Sequence, residues 1–237
     1  MIVDQNFVYF SSVTQSTDFP IVLGTQTSLN GTQDAVVVKM NKNLTNIVWS
    51  SYYGGSSDET GNGIQLSSNG SLYVVGGTDS GDLNFGGGGW APSYNSGRDG
   101  FVTRFDAATG AVLNGTYIGT SDYDQSYFVQ VDEDKDVYVL GQTAGHWPIT
   151  SGCYGNNNSG QFIMKLNPSL TTRLWVTTVG SGSGNIEISP TAFLVSNCKD
   201  IYLSGWGGTV NFQNSQATTS SSNNFPVTSD AFQPTTN

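Results

Sequence analysis

The sequence holds one histidine, His146, and two cysteines, Cys153 and Cys198, in 237 residues. That leaves little material for a histidine-based metal centre or a disulfide framework. Cations are scarce as well, with eight Lys and Arg against 18 Asp and Glu. The resulting formal charge of −10 repels phosphate, so neither nucleic acid nor an anionic membrane surface is an expected partner. No apolar run approaches the roughly 20 residues that span a bilayer, and no membrane insertion is expected. No charged-then-apolar segment follows Met1, so no signal peptide is visible. Helical periodicity is missing too, since no stretch sustains apolar residues at i, i+3, i+4 and i+7. What the chain does have is 30 glycines and 12% aromatic residues, a composition for a packed core with many turns and unlike that of a disordered chain.

An internal repeat organises the rest. Tyr9, Tyr73, Tyr138 and Tyr202 are spaced by 64, 65 and 64 residues. Each sits in a short apolar run: Val8–Ser11, Leu72–Gly76, Val137–Gly141 and Ile201–Gly205. A second set keeps the same interval: Asp34–Asn41, Asp99–Asp106 and Gly160–Asn167, each ending in a basic residue, an apolar residue and Asn or Asp. A third set contains Ile47–Trp49, Val112–Leu113 and Leu174–Val176, and a fourth contains Gly63–Leu66, Tyr127–Val131 and Ala192–Val195. Runs rich in Val, Ile, Tyr, Phe and Trp between Gly, Asn, Asp and Ser read as strands between turns.

Four antiparallel strands per repeat predict an all-β fold of β-propeller blades. A solenoid needs no four-strand unit, and a sandwich has no reason to repeat at a fixed interval. The units run approximately over residues 8–71, 72–136, 137–200 and 201–237, the last incomplete. About three and a half blades fall short of the four to eight of a closed ring, so a fragment of a larger propeller is expected. Residues 213–224 are a polar low-complexity stretch, expected to be a mobile loop.

The units resemble the bacterial β-propeller repeat called SBBP. The resemblance rests on Tyr73-Val74-Val75-Gly76, Asp18-Phe19-Pro20, Asp34-Ala35-Val36-Val37 and Tyr52-Tyr53-Gly54-Gly55, with the Phe-Pro element echoed at Trp147-Pro148 and Phe225-Pro226. The stretch Ser196–Gly208, followed by Thr228–Gln233, is similar to the propeller region of large gliding-motility-associated surface proteins of Bacteroidetes-type bacteria, which carry a sorting domain for type IX secretion. The resemblance implies an extracellular or cell-surface location, a larger parent chain and no catalytic residues. The second unit departs from the pattern, with Asp82-Leu83-Asn84-Phe85 in place of the Phe-Pro loop.

Antiparallel order sends the short turns to one end of each blade and the long connections, 77–98 and 142–159, to the other. Binding surfaces favour long loops on rigid scaffolds. The candidate ligand-binding residues at that end are Asp58, Trp90, Asp122, Asp124 and His146, with Glu59, Tyr94, Tyr123 and Trp147 beside them. Trp147, like Phe19 and Phe225, reads better as core between blades, whereas Trp90, with no counterpart in the other units, is equally readable as core or as a ligand contact. His146 takes the place of Asp18 and Asn224 and reads as a loop-capping residue. Asp132, Asp134 and Asp136 alternate like the start of a calcium loop, but the glycine and distal glutamate of an EF-hand are missing, so an acidic turn is the simpler expectation. Asp122 and Asp124 could be proposed as an acid pair, but nothing in the sequence is seen to repeat or converge with them. Cys153 and Cys198 fall at opposite blade ends, roughly 15–20 Å apart. A disulfide tolerates about 7 Å between Cα atoms, so two free thiols are expected.

These features read best as a non-catalytic module of a larger secreted or cell-surface protein, working in adhesion, interaction or structure, without cofactor. Its partners would be the remaining blades and other domains of the parent, and a surface glycan or protein. A glycan-binding propeller using long-loop aromatics and carboxylates is the alternative. A lyase or hydrolase would require paired carboxylates at the central channel.

Overall fold

A computed structural model of the chain describes residues 1–212, 216–233 and 235. The described residues contain strands and no helix, so none is long and apolar enough to cross a membrane. The first sheet comprises β1 (Ile2–Val3), β2 (Phe7–Thr14), β3 (Asp34–Asn41) and β4 (Ile47–Tyr53). The second comprises β5 (Glu59–Leu66), β6 (Ser71–Thr78), β7 (Asp99–Asp106) and β8 (Val112–Ile118). The third comprises β9 (Asp124–Val131), β10 (Val137–Thr143), β11 (Gln161–Leu166) and β12 (Arg173–Val179). Each is a consecutive antiparallel meander. A fourth sheet holds only β13 (Ser189–Val195) and β14 (Ile201–Trp206). These are three propeller blades and the opening half of another, and among the described residues no ladder joins the first sheet to the fourth.

The sheets are cut in a different phase from the sequence unit. The runs at Gly63–Leu66, Tyr127–Val131 and Ala192–Val195, counted last in each unit, are instead the first strands of the following sheets. A repeat fixes an interval and says nothing about where a sheet begins. The polar stretch 213–224 also differs from expectation. Gln216–Thr219 forms β16, which pairs with β15 (Thr209–Phe212) as a hairpin absent from the three complete blades. Residues 213–215 lie outside the described residues.

Neighbouring sheets bury their facing sides against each other, which is why Leu72–Val75 of the second sheet is apolar on both faces, Leu72 and Val74 packing towards the first sheet and Tyr73 and Val75 towards the third. Tyr53, Phe101, Phe105 and Tyr117 join the first two sheets, with Tyr53 and Phe105 in an edge contact at 5.3 Å. Tyr73, Val102, Phe162 and Met164 join the second and third. Each fully buried aromatic stabilises the stack by about 1.5–3 kcal/mol.

At the short end the turns share one backbone solution. Gly70, Lys135 and Lys199 stand at equivalent positions with φ of 82°, 72° and 67°. Each donates its N–H to the carbonyl three residues back, in Ser67, Asp132 and Ser196. Only the glycine adopts that left-handed conformation without a steric cost. At the outer rim, the long connections fold back along the last strand of each blade. Ser50 and Tyr52 of β4 donate to Val22 and Gln26, Tyr117 of β8 donates to Ala91, and Asn156 donates to Thr178 of β12. The edge strands are thereby covered.

Candidate functional site

The long-loop end is built on carboxylates that open strands. Asp34 and Asp99 begin β3 and β7, Glu59 and Asp124 begin β5 and β9, and Glu187 precedes β13. All five are buried. Each accepts backbone N–H groups from the loop in front of it. Asp34 takes Asn30 and Gly31 at 3.1 Å each, Asp99 takes Asn95 at 2.9 Å and Glu59 takes Gly55 at 2.8 Å. Asp124 takes Thr120 at 2.6 Å and Glu187 takes Ser181 at 2.7 Å. A carboxylate that collects donors this way clasps a loop whose own backbone has no ladder partner.

The clasps come in pairs. A Cβ on Gly54 would lie 2.5 Å from both the Asp34 carboxyl carbon and Glu59 Oε2, so only glycine lets the chain pass between the two acids. Gly119 is in the same relation to Asp99, next to Asp124. Burial pushes Glu59 up to about 7, against hydrogen bonds from Thr78, Ser80 and Gly55, and Asp34 adds to the rise. Burial likewise pushes Asp99 up to about 7, against the Asn95 N–H, with Asp124 adding to the rise. Asp34 and Asp124 are also raised, chiefly by burial. Two buried acids this close favour one proton between them.

This overturns the expectation that nothing repeats or converges with Asp124. Glu59 is its counterpart 65 residues earlier, and Asp99 approaches it. Asp34, Asp99 and Glu187 were missed as members of this set. The signal was available as acids at the 65-residue interval, Asp34 with Asp99 and Glu59 with Asp124. Their burial was not visible.

The remaining candidates scatter. Asp58 is half-buried and accepts the Thr32 hydroxyl. Asp122 is exposed, and its N–H donates to Thr120 Oγ1 at 3.2 Å. His146 is exposed beside Trp147, which is buried. The Trp147 ring lies 5.5 Å from Phe162, and its Nε1–H donates to Asp124 Oδ1 at 3.0 Å. Trp90 is partly buried against Trp147 at 6.4 Å, and the Arg173 guanidinium covers its ring at 4.7 Å. It is therefore a packing residue and no open platform for a sugar. Tyr123 is buried, and its hydroxyl donates to Gln125 at 2.9 Å. Tyr94 packs 5.9 Å from Tyr117.

The calcium candidates do not converge on a cation cage. Lys165 Nζ lies 3.1 Å from Asp132 and 2.9 Å from Asp136, while Asp134 pairs with Lys199. An ammonium group already occupies the place a cation would take between Asp132 and Asp136. Among the described residues no group of three or more His, Cys, Asp or Glu is arranged to hold a metal ion. Both cysteines are free thiols, with Cys198 exposed.

Known protein families and curated proteins provide no match to this chain. Its functional reading therefore rests on its own geometry.

Two clefts open between neighbouring long loops. One, of about 600 Å³, is lined by Gln26, Asn30, Gly54, Ser56, Asp82 and Asn84. The other, of about 720 Å³, lies between Ser181–Glu187 and Ser220–Asn224. Hydroxyl, amide and carboxylate groups dominate the first, whereas the second mixes polar groups with apolar surface that includes Ala144 and Ile186.

Proposed function

We propose that this chain is a non-catalytic β-propeller segment of a larger secreted or cell-surface protein of the SBBP-repeat kind, serving adhesion, interaction or structure. The observation that carries the reading is the state of its acids. Asp34, Glu59, Asp99 and Asp124 are all sealed from solvent and spent on holding loops. A general acid must reach its substrate's proton within hydrogen-bond distance, and these carboxyls face backbone. The test is turnover. The chain is incubated with a panel of polysaccharides, and the reading expects no cleavage. Cleavage that disappears in Asp99→Asn or Asp124→Asn would overturn it.

The cleft at Gln26, Asn30 and Asp82 favours a second reading, a glycan-binding segment that recognises hydroxyls through polar groups. A glycan array with the chain tests it. Signals lost in Asp82→Ala and retained in Trp90→Phe support it, and a blank array sinks it.

A further inference from the structure

In every complete blade the second and third strands meet in one pattern. Tyr9 stands directly opposite Lys39, Tyr73 opposite Arg104, and Tyr138 opposite Lys165. The Lys165 ammonium lies 4.7 Å from the Tyr138 ring centre and that of Lys39 lies 5.4 Å from Tyr9. Three residues further along, Gly76 stands opposite Phe101 and Gly141 opposite Phe162. Each phenyl ring comes too close for a Cβ on that glycine, 2.8 Å away at Gly76 and nearer still at Gly141.

The fourth sheet has the second-strand half of this pattern and lacks the other half. Tyr202 and Gly205 occupy β14 at the matching positions, but among the described residues β14 is bonded only to β13. Tyr202 is 57% exposed where its three counterparts are buried. Among the described residues no cation lies over its ring. Asp200 matches Asp136, the acid that holds Lys165, and among the described residues its side chain meets only the Ser196 hydroxyl, at 3.5 Å. Beside this edge is an apolar groove of about 420 Å³ lined by Tyr154, Ile163, Trp175, Val179, Ile201 and Leu203. Val179 ends its blade's last strand as Tyr53 does, and Tyr53 packs on Phe101 at 5.6 Å. The groove is thus a phenyl slot without its phenyl.

We infer that the β14 edge accepts an antiparallel strand of the repeat's own type, reading Phe-Xaa-Xaa-Lys or Phe-Xaa-Xaa-Arg, with the phenyl opposite Gly205 and the cation between Tyr202 and Asp200. Pairing supplies affinity through main-chain hydrogen bonds, and the two side chains set register and specificity. Cation–π and charge complementarity at Tyr202 and Asp200 favour a basic residue there over any neutral one. This rests on the reading of the chain as a segment that works within a larger assembly.

The test uses the full chain and a synthetic peptide copying its residues 159–179, which carries Phe162 and Lys165. Binding is followed by fluorescence anisotropy, and the β14 amides by hydrogen exchange. Peptide binding with slowed exchange over 201–206 is expected. A Phe162→Ala peptide should bind about ten-fold or more weakly, from lost phenyl burial. A Lys165→Glu peptide should bind several-fold more weakly, with a smaller salt dependence. These changes leave the chain itself intact, so misfolding cannot mimic them. Unchanged β14 exchange, or binding indifferent to both substitutions, overturns the inference. So does a dimer in sedimentation whose β14 amides are already protected, since the occupant is then a second copy. None of these outcomes bears on polysaccharide cleavage, so failure here and failure of the functional reading remain distinguishable.

Discussion

The indole N–H of Trp147 donates to the buried carboxyl of Asp124 at 3.0 Å. This joins the long connection of the third blade to the loop that enters it. Trp147→Phe keeps most of the ring packing on Phe162 and removes the donor. It should cost about 1–3 kcal/mol, the range for an abandoned buried acceptor. Trp147→Ala should cost about 3–5 kcal/mol by adding a cavity. Urea unfolding of both variants checks the order. A Trp147→Phe variant as stable as the unaltered chain would show that the hydrogen bond contributes nothing.

The paired acids set a pH dependence. Glu59 and Asp99 are raised in the folded chain to about 7, from ordinary values of 4.5 and 3.8. Below those ordinary values both states hold the proton and nothing is lost. As pH rises from there towards 7, the folded state retains protons that the unfolded state releases, so stability falls, and above 7 it levels off. Asp4, Asp106 and Asp132 run the other way, being lowered in the fold, so their contribution is lost in stronger acid. The melting temperature should therefore peak near pH 4–5. Glu59→Gln, which mimics the protonated acid, should flatten the decline between pH 5 and 7. A melting curve that rises steadily to pH 7 would contradict the pairing.

Gly54 passes between two carboxyls with no room for a side chain. Gly54→Ala should destabilise by about 1–3 kcal/mol through overpacking, read as a lower denaturation midpoint. At Gly88, where a Cβ would meet nothing within 4 Å, the same change should be near neutral. The pair of measurements separates crowding from general glycine effects.

Lys165 lies between Asp132 and Asp136, and both the amine and Asp132 are buried. Lys165→Met leaves a buried carboxylate without its cation and should cost about 3–5 kcal/mol. Adding Asp132→Asn should recover part of that loss. For the same reason millimolar calcium should leave the melting temperature of the unaltered chain where it was. A calcium-dependent rise would restore the metal reading of this turn.

Native alkylation should label both Cys153 and Cys198, seen as two additions in the intact mass, with Cys198 reacting faster because it is exposed. A single addition or none contradicts this.

The strands were legible because residues such as Val36–Val38 and Leu72–Val75 leave no helical face and end in Gly, Asn or Asp. The spacing of Tyr9, Tyr73, Tyr138 and Tyr202 carried the blade count. The sheet boundary was not legible, because Tyr53 to Glu59 is a connection as short as those within a sheet. The site was half legible. Asp124 and Glu59 stood out as loop acids, but acids in loops are ordinarily solvated, and only tertiary packing turned these two inward. Trp90 misled for the converse reason. It has no counterpart in the repeat, which suggested a ligand, yet Arg173 comes from 83 residues away to cover it.

The connections that run back along β4, β8 and β12 have a consequence for heredity. A blade that brings its own rim cover leaves no sticky outer margin when a gene duplication adds it or a deletion removes it. Arrays of this kind are free to change length by whole sixty-five-residue steps while each new copy meets only its two flanking neighbours.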